Sequence, residues 1–415
     1  IHQFVPEPFW ELTLTKDKLT AEYAGGNITE KKTAENLLKK TKGKDGIVTS
    51  LKAAETAIQS PTPFDLTTLQ TEAYRCFGIS PKETLSIAQE LYTSGLVSYP
   101  RTSSQKLPAS LGHKETIKKI AQQVEYNVLC KELLAQPKLV PREGEKSDPA
   151  HPSIYPTGEH QKLTDKAKKV YDLIVKRFLS CFAPPAKRKT ITATITVNEE
   201  GFIARGVKTL DLGWQAFYAP YVPNKEVELP PLKEGQEIKK PKIQLDQKET
   251  QPPKRYTEAS IITQLQKKKL ATKSTRAAVI DALHQRNYIA DKALRATTLG
   301  MATITTLEKY CPEIIDEQLT RHFEEEMEEI QQEKKKPDEI LKEAQDSLTK
   351  ILSVFKKSEK QIGEGLLEAT RETQREESTV GVCPVCTEGQ LTLRRGKFGV
   401  FIACNKYPDC KTTFS

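Results

Sequence analysis

The chain has 415 residues, 37% hydrophobic and 29% charged, with 64 Lys and Arg against 55 Asp and Glu for a formal charge of +9. That length allows two to four domains. No apolar run approaches the ~18 residues of a membrane span and no basic-then-apolar leader opens the chain, so a soluble, cytoplasmic protein that does not engage membranes is expected, and the basic balance favours polyanionic partners without requiring them.

Residues 1–57 read as strands. Phe9 to Thr15 alternates, as do Leu19, Ala21 and Tyr23, and Ile47-Val48-Thr49 follows a glycine-containing turn. The period changes over residues 58–188. Leu66, Leu69, Tyr74 and Phe77, then Thr84, Ile87, Ala88 and Leu91, recur at steps of three and four, which marks amphipathic helices. Asp65 reads as an N-cap, and Ser80-Pro81 as a cap with proline in the first turn. A further helix is expected from Asp165 to Phe182, with Val170, Leu173, Ile174, Phe178 and Leu179 inward.

From Lys189 the two-residue period returns through Ile191, Ala193, Ile195 and Val197, and Asn198-Glu199-Glu200-Gly201 turns the chain. Strands at 1–57 and 189–250 bracket the helical block, so 58–188 is expected as an insertion into one sheet, joined to it by two connections. Residues 251–330 are helical again. Residues 331–380 are rich in Lys, Glu and Gln and read as a solvated helix with a thin apolar face of Ile340, Leu341, Leu348, Ile351, Leu352 and Phe355, followed by a flexible linker.

Cys76, Cys130, Cys181 and Cys311 are scattered singly and read as buried small hydrophobes. The other four crowd the C-terminus. Cys383-x2-Cys386, seventeen residues, then Cys404-x5-Cys410 is the spacing of two knuckles closing on one tetrahedral Zn²⁺. Two disulfides are the alternative. Residues 381–415 are therefore expected to form a four-cysteine zinc ribbon.

Ser98-Tyr99-Pro100-Arg101-Thr102-Ser103-Ser104 places a phenol two residues before a guanidinium. Pro100 excludes Tyr99 from the helical region, so the preceding helix stops before it. Tyr99 and Arg101 then share one side of an extended segment. A phenol with a reference pKa of about 10 is neutral near pH 7. Arg101 favours its ionised form and offers phosphate oxygens a bidentate grip, an arrangement suited to attack on a phosphodiester. A half-buried strand tyrosine beside a surface cation is the plainer alternative.

Asp148 through Gly158 carries His151 between prolines, placed to hydrogen-bond a phosphate oxygen or to carry charge near pH 7, unless it is merely solvated. Arg255 and the run Thr272-Lys273-Ser274-Thr275-Arg276 add hydroxyls and cations before a helix whose N-terminal N–H groups favour an anion, with a plain capped helix as the alternative.

In this order, Thr68-Leu69-Gln70, Ser98 to Ser103, His151 to Gly158, Tyr256-Thr257-Glu258-Ala259-Ser260, Thr272 to Ala277, Thr298-Leu299-Gly300, Leu319-Thr320 and the knuckle Cys383-Pro384-Val385-Cys386 resemble the type IA DNA topoisomerases, most closely the archaeal topoisomerase I and reverse gyrase branch. The resemblance runs from about residue 5 to the end. It implies an α+β multidomain fold: a β-rich hinge or arch domain in two parts, the inserted helical domain carrying the tyrosine, a second helical domain that admits the DNA, and the zinc ribbon.

The family implies that Tyr99 attacks a single-strand phosphodiester, leaving a free 3′-hydroxyl and a 5′-phosphotyrosyl link while another strand passes. The link stores the bond energy, and the chain has no G-x-x-x-x-G-K-[ST] loop for ATP. By resemblance Arg101 stabilises the transferring phosphate, His151 contacts it, and Arg255, Thr272, Lys273, Ser274, Thr275 and Arg276 hold the strand being cut. The partners implied are single-stranded and underwound DNA, and the location the nucleoid. In the ribbon, Lys397, Phe398, Phe401 and Lys406 would grip single-stranded DNA, with a purely structural zinc site as the rival.

Two departures stand out. Bacterial relatives place Asp after the Arg-Thr pair where this chain has Ser103. The family's Toprim domain, whose acids hold Mg²⁺ and which supplies a lysine, has no counterpart before Ile1. A separate Toprim-containing subunit or a longer parent chain would each supply it, and little relaxation is expected of these residues alone. A non-enzymatic single-stranded nucleic-acid-binding protein with a zinc ribbon is the alternative function, and a tyrosine recombinase or relaxase a third.

Overall fold

Two-residue alternation puts Trp10, Leu12 and Leu14 of β1 (Pro8–Lys16) on one buried face in the computed structural model, which describes all residues except 2, 149, 224, 225, 398 and 415 and the side chain of residue 331. The other strands of this sheet are β2 (Leu19–Tyr23), β3 (Gly46–Ile58), β4 (Ala186–Val197), β5 (Glu200–Asp211), β6 (Glu237–Ile238) and β7 (Lys242–Glu249). Every pairing is antiparallel, in the order β6-β3-β4-β5-β2-β1-β7. The turn between β4 and β5 has Asn198 and Glu199 at φ 47 and 70, the doubly left-handed backbone that matches strand twist in a two-residue hairpin.

The first strand-rich stretch also holds a helix that its periodicity does not announce: α1 (Lys31–Thr41) lays Ala34, Leu37 and Leu38 on the apolar face of the sheet with Val48, Ile195 and Phe202. Its C-terminal Lys40 donates to Glu200 Oε1 at 2.7 Å, and Tyr23 Oη donates to Oε2 at 3.0 Å. The Lys40 hydrogen bond is the main cause that holds the Glu200 carboxyl below the usual carboxylate range.

β3 and β4 are neighbours, paired from Gly46↔Val197 to Ile58↔Ala186. The chain therefore leaves the sheet and returns to it on adjacent strands, and the helices between form an insertion on two connections. They are α2 (Leu66–Phe77), α3 (Pro81–Thr93), α4 (His113–Ile120), α5 (Asn127–Leu134) and α6 (Asp165–Ser180). Their core gathers Phe64, Leu69, Leu91, Ile117, Ile174 and Phe178. The short α7 (Trp214–Tyr218) departs from the all-strand reading of 189–250: its Trp214, Phe217 and Tyr218 bury in this helical core, and Trp214 Nε1 donates to Ile58 O at 2.9 Å. Burial pushes the Cys130 and Cys181 thiols up to about 12, which leaves them as small core hydrophobes.

The described residues fall into two compact units, Ile1–Ile79 with Glu83–Lys254, and Ser80–Lys82 with Arg255–Ser415. In the second lie α8 (Glu258–Lys267), α9 (Arg276–Gln285), the small hairpin β8 (Ile289–Ala290) and β9 (Arg295–Ala296), α10 (Thr298–Tyr310), α11 (Glu317–Gln331), α12 (Pro337–Lys357) and α13 (Glu359–Ser378). Gly300 allows α10 to close on the hairpin, since a Cβ there would sit 2.1 Å from Tyr288 O. The stretch expected as a flexible linker is instead helix α13. Ile362, Ala369 and Thr373 form a buried stripe on it, and Thr373 Oγ1 accepts from Leu299 N of α10 at 2.8 Å. It runs directly into a four-stranded sheet, β10 (Thr379–Val382), β11 (Gln390–Gly396), β12 (Gly399–Cys404) and β13 (Thr413–Phe414). No described helix is long and apolar enough to cross a membrane.

Candidate active site and zinc centre

Two loops laid side by side assemble the tyrosine site. α3 ends at Thr93, and Gly95 at φ 73 turns the chain out of the helix. The segment that follows is extended, and its burial alternates: Pro100, Thr102 and Ser104 are buried while Tyr99, Arg101 and Ser103 are half-buried on the other side. This is the shared side that the spacing of Tyr99 and Arg101 predicts.

The histidine loop bonds to this segment on either side of Tyr99 and Arg101. Thr157 N donates to Leu96 O at 3.0 Å, Ser98 N to Tyr155 O at 2.9 Å, and Ser153 N to Lys106 O at 2.9 Å. Ser98 Oγ donates to Ser153 O and accepts from Tyr155 N, both at 3.0 Å, and Thr102 Oγ1 donates to His151 O at 3.3 Å. The result sets the Tyr99 and His151 rings 4.6 Å apart at 48°. Gly158 at φ 93 closes the loop, where a Cβ would lie 2.5 Å from Lys119 Cβ.

Tyr99, Arg101 and His151 share one electrostatic property. Among the described residues, none of the three side chains has an ion pair or hydrogen-bond partner. A half-buried guanidinium without a carboxylate, beside a phenol and an imidazole, leaves an arrangement suited to an anion.

Two contacts went unread in the sequence. Tyr92 of α3 meets the Tyr99 ring edge-on at 5.2 Å. Asp148 accepts from Ser103 and from Ala150 across the two loops; an aspartate two residues before an accepted N–H is the usual form of a local turn, the one signal available. Beneath them, the buried Asp65 caps α2 through Thr68 N at 2.7 Å, and its other oxygen accepts from Gln105 Nε2 at 3.3 Å and Lys146 Nζ at 3.1 Å.

In the second unit, Thr272, Ser274 and Thr275 form a hydroxyl cluster before α9, with Thr272 Oγ1 2.8 Å from Thr275 Oγ1 and 3.2 Å from Ser274 Oγ. Lys273 lies half-buried among them, and Arg255 half-buried before α8. Arg276 is turned inward: it is 9% exposed and its Nε donates to Leu270 O at 3.0 Å, so it braces the loop from behind.

The four cysteines Cys383, Cys386, Cys404 and Cys410 come together with every Sγ within 4.8 Å of the others. Cys383 to Cys410 is 3.8 Å and Cys386 to Cys404 is 3.7 Å. Zn–S bonds of about 2.3 Å at tetrahedral angles require sulfurs about 3.8 Å apart, so the residues fit zinc. Gly389 is required beside them, because a Cβ would sit 2.5 Å from Cys404 Sγ. Backbone N–H groups of Cys386 and Val385 pull the Cys383 thiol down, toward the thiolate a metal binds, whereas at Cys404 the pull of the Lys406 backbone N–H is outweighed by burial and the neighbouring sulfurs, which push the thiol up. On the ribbon sheet, Phe401 is half-buried opposite Arg394, and Lys397 is exposed in the turn. Lys406 pairs with Glu388, and Phe398 lies outside the described residues.

Residues 1–342 match the family model described as DNA topoisomerase, and residues 380–415 match one described as topoisomerase DNA binding C4 zinc finger. DNA topoisomerase 1 of Methanocaldococcus jannaschii is 44% identical over all of this chain and 55% of its own length. DNA topoisomerase 1 of Pyrococcus horikoshii is 41% identical, again over all of this chain and 62% of its own. Full-length topoisomerase I from Thermotoga maritima shares the fold, with a TM-score of 0.70 at 24% identity over all of this chain and 67% of that one. The chain thus spans little more than half the length of the archaeal relatives it matches.

Proposed function

Because the chain belongs to the type IA DNA topoisomerase family and ends in that family's C4 zinc ribbon, we propose that it carries the strand-cutting tyrosine of an enzyme that changes DNA topology. The observation that carries this reading is the juxtaposition of Tyr99 and His151 at 4.6 Å beside an Arg101 with no partner among the described residues. Tyr99 Oη attacks the phosphorus of a single-stranded phosphodiester and gives up its proton as the ester forms. The P–O3′ bond breaks, O3′ takes a proton and leaves as a hydroxyl, and the 5′-phosphate stays on Tyr99. Arg101 and His151 offset the charge that gathers on the phosphate oxygens. Reversal by the 3′-hydroxyl reseals the strand, and no ATP is consumed because the phosphotyrosyl ester keeps the bond energy.

Among the described residues the cysteine cluster is the one group arranged to hold a metal ion. Zn²⁺ there fixes the ribbon, and Mg²⁺ enters no step derived from these residues. We assign the acid that protonates O3′, and the Mg²⁺ that serves it, to the Toprim domain that the family resemblance implies. Arg255, Thr272, Lys273, Ser274 and Thr275 hold the backbone of the cut strand without reading its sequence, while Arg276 braces them. In the ribbon, Phe401 stacks a base and Lys397 holds a phosphate. The inserted helical block lifts away on β3 and β4. The part of β3 from Lys52 to Ala57 is exposed throughout, so bending there disturbs no apolar core.

Trapping tests the reading. The full-length protein containing these residues is incubated with single-stranded DNA and denatured. A DNA–protein adduct that resists denaturant and vanishes in Tyr99→Phe is expected. DNA binding with no adduct would favour a non-catalytic binding module instead.

A further inference from the structure

We propose that Asp148 is a positioning residue for this cleavage centre, its single carboxylate tying the tyrosine loop to the histidine loop and so setting the alignment of Arg101 with His151. The proposal rests on the cleavage reading above. Asp148 Oδ2 accepts from both Ser103 N and Ser103 Oγ at 3.2 Å, and Oδ1 accepts from Ala150 N at 3.1 Å. Ser103 lies two residues after Arg101 on the same side of the extended segment, and Ala150 directly precedes His151. An ionised carboxylate only accepts, so its two oxygens serve two loops at once. Such charge-assisted bonds are about twice as strong as neutral ones.

The two flanks of Tyr99 are held differently. On the N-terminal side, Ser98 is fixed by its own backbone bond and by two hydroxyl bonds to the histidine loop, none longer than 3.0 Å. On the side of Arg101, the backbone ties to the histidine loop lie further along, at Gln105 N to Lys146 O and Ser153 N to Lys106 O, both 2.9 Å, and the tie nearest Arg101 besides Asp148 is Thr102 Oγ1 to His151 O at 3.3 Å, long for a hydroxyl donor. Asp148 therefore fixes the stretch next to the cation, between Thr102 and the backbone ties at Gln105 and Lys106. An asparagine side chain is not neutral in this geometry: it keeps one acceptor oxygen and turns its NH₂ toward either Ser103 N or Ala150 N, backbone groups that only donate.

That polarity supplies a test in the full-length protein. Asp148→Asn lowers the rate constant of adduct formation by about tenfold to a hundredfold, the range expected when reacting groups shift by a fraction of an ångström to an ångström, while the Kd for single-stranded DNA stays within about threefold. Ser103→Ala removes one of the two donors to Oδ2 and slows adduct formation by less than Asp148→Asn does. In the double variant Asp148→Asn with Ser103→Ala both changes act on one tie, so the rate stays within about threefold of that of Asp148→Asn alone. Unchanged rates in Asp148→Asn, or losses that multiply in the double variant, would overturn the proposal. Should the wild-type protein form no adduct at Tyr99, the cleavage reading fails separately. The loop tie is then judged from ¹³Cε1-histidine spectra, in which the His151 resonance must move in Asp148→Asn and move little further in the double variant.

Discussion

Replacing Asp65 with alanine tests how the fold supports the site, because one buried carboxylate there does two jobs. Asp65 is 1% exposed. It closes a capping box with Thr68 at the start of α2, accepting from Thr68 N at 2.7 Å and Thr68 Oγ1 at 2.8 Å. The same side chain accepts from Gln105 and Lys146, which flank the tyrosine and histidine loops, while Leu66 N donates to Thr102 O at 3.0 Å. Loss of an N-cap costs about 1 kcal/mol, and a hydrogen bond from a neutral donor to a buried charge about 1 to 2 kcal/mol. Lys146 is 45% exposed, so its ion pair is discounted to less than about 1 kcal/mol.

The sum for Asp65→Ala is about 2–4 kcal/mol. At roughly 2–4 °C per kcal/mol for a unit of this size, the melting midpoint of the first unit falls by about 4–16 °C. Asp65→Asn keeps a competent cap and gives up mainly the tertiary contacts, so it falls about half as far. Lys146→Met costs less than about 1 kcal/mol. Calorimetry of the three variants decides the matter. A midpoint for Asp65→Ala within about 1 °C of wild type, or an equal loss in Lys146→Met, would refute the assignment of the stability to the cap and the Gln105 contact.

Four other expectations follow from particular residues. Gly389→Ala forces a Cβ against Cys404 Sγ, so bound zinc measured by atomic absorption falls from one ion per chain toward none. Phe401→Ala weakens single-stranded DNA binding by about 1–3 kcal/mol if a base stacks there, whereas Lys273→Ala lowers the slope of log K against log salt by about 1 without altering sequence preference; a purely structural ribbon would leave the first value unchanged. Glu200 has a folded-state pKa depressed by Lys40, so its contribution to stability is complete above the unfolded value of about 4.3 and is lost as pH falls through the lower folded value. The urea midpoint of wild type therefore declines more steeply than that of Glu200→Gln in this acid range, and parallel curves would contradict it.

Much of the architecture is legible because the periods are strong. The alternation in β1, β4 and β5 and the three-and-four steps in α2, α3 and α6 each have one face to bury, and the Asp65 cap and the turn at Asn198-Glu199 are specified by local chemistry alone. What escaped reading depends on distant partners. α1 is largely polar, with Ala34, Leu37 and Leu38 as its apolar residues, and that narrow face makes sense only against the sheet. α7 is five residues long, too short for a period, and joins a core built largely from residues more than thirty positions away. α13 reads as linker because its stripe consists of Ile362, Ala369 and Thr373, weakly hydrophobic positions that need α10 to be buried.

The site follows the same division. The extended geometry of Tyr99 and Arg101 comes from Pro100 and a two-residue period, and the cysteine spacing specifies its own cluster. The contact of His151 with Tyr99 does not, since 52 positions separate them, and it arises from loop pairing through Ser98, Thr102 and Ser153. Arg276 also shows the limit of residue type as a guide. A cation in a run of hydroxyls reads as a phosphate ligand, yet its side chain is held inward by Leu270 O.

The most direct measurement is mass spectrometric mapping of the nucleotide-bearing peptide from adducts trapped with the full-length protein. A 5′-phosphodiester on Tyr99 within Ser98-Tyr99-Pro100-Arg101 is expected, with the other DNA end a free 3′-hydroxyl. A nucleotide attached to any other residue, or a 3′-phosphate linkage at Tyr99, would contradict it.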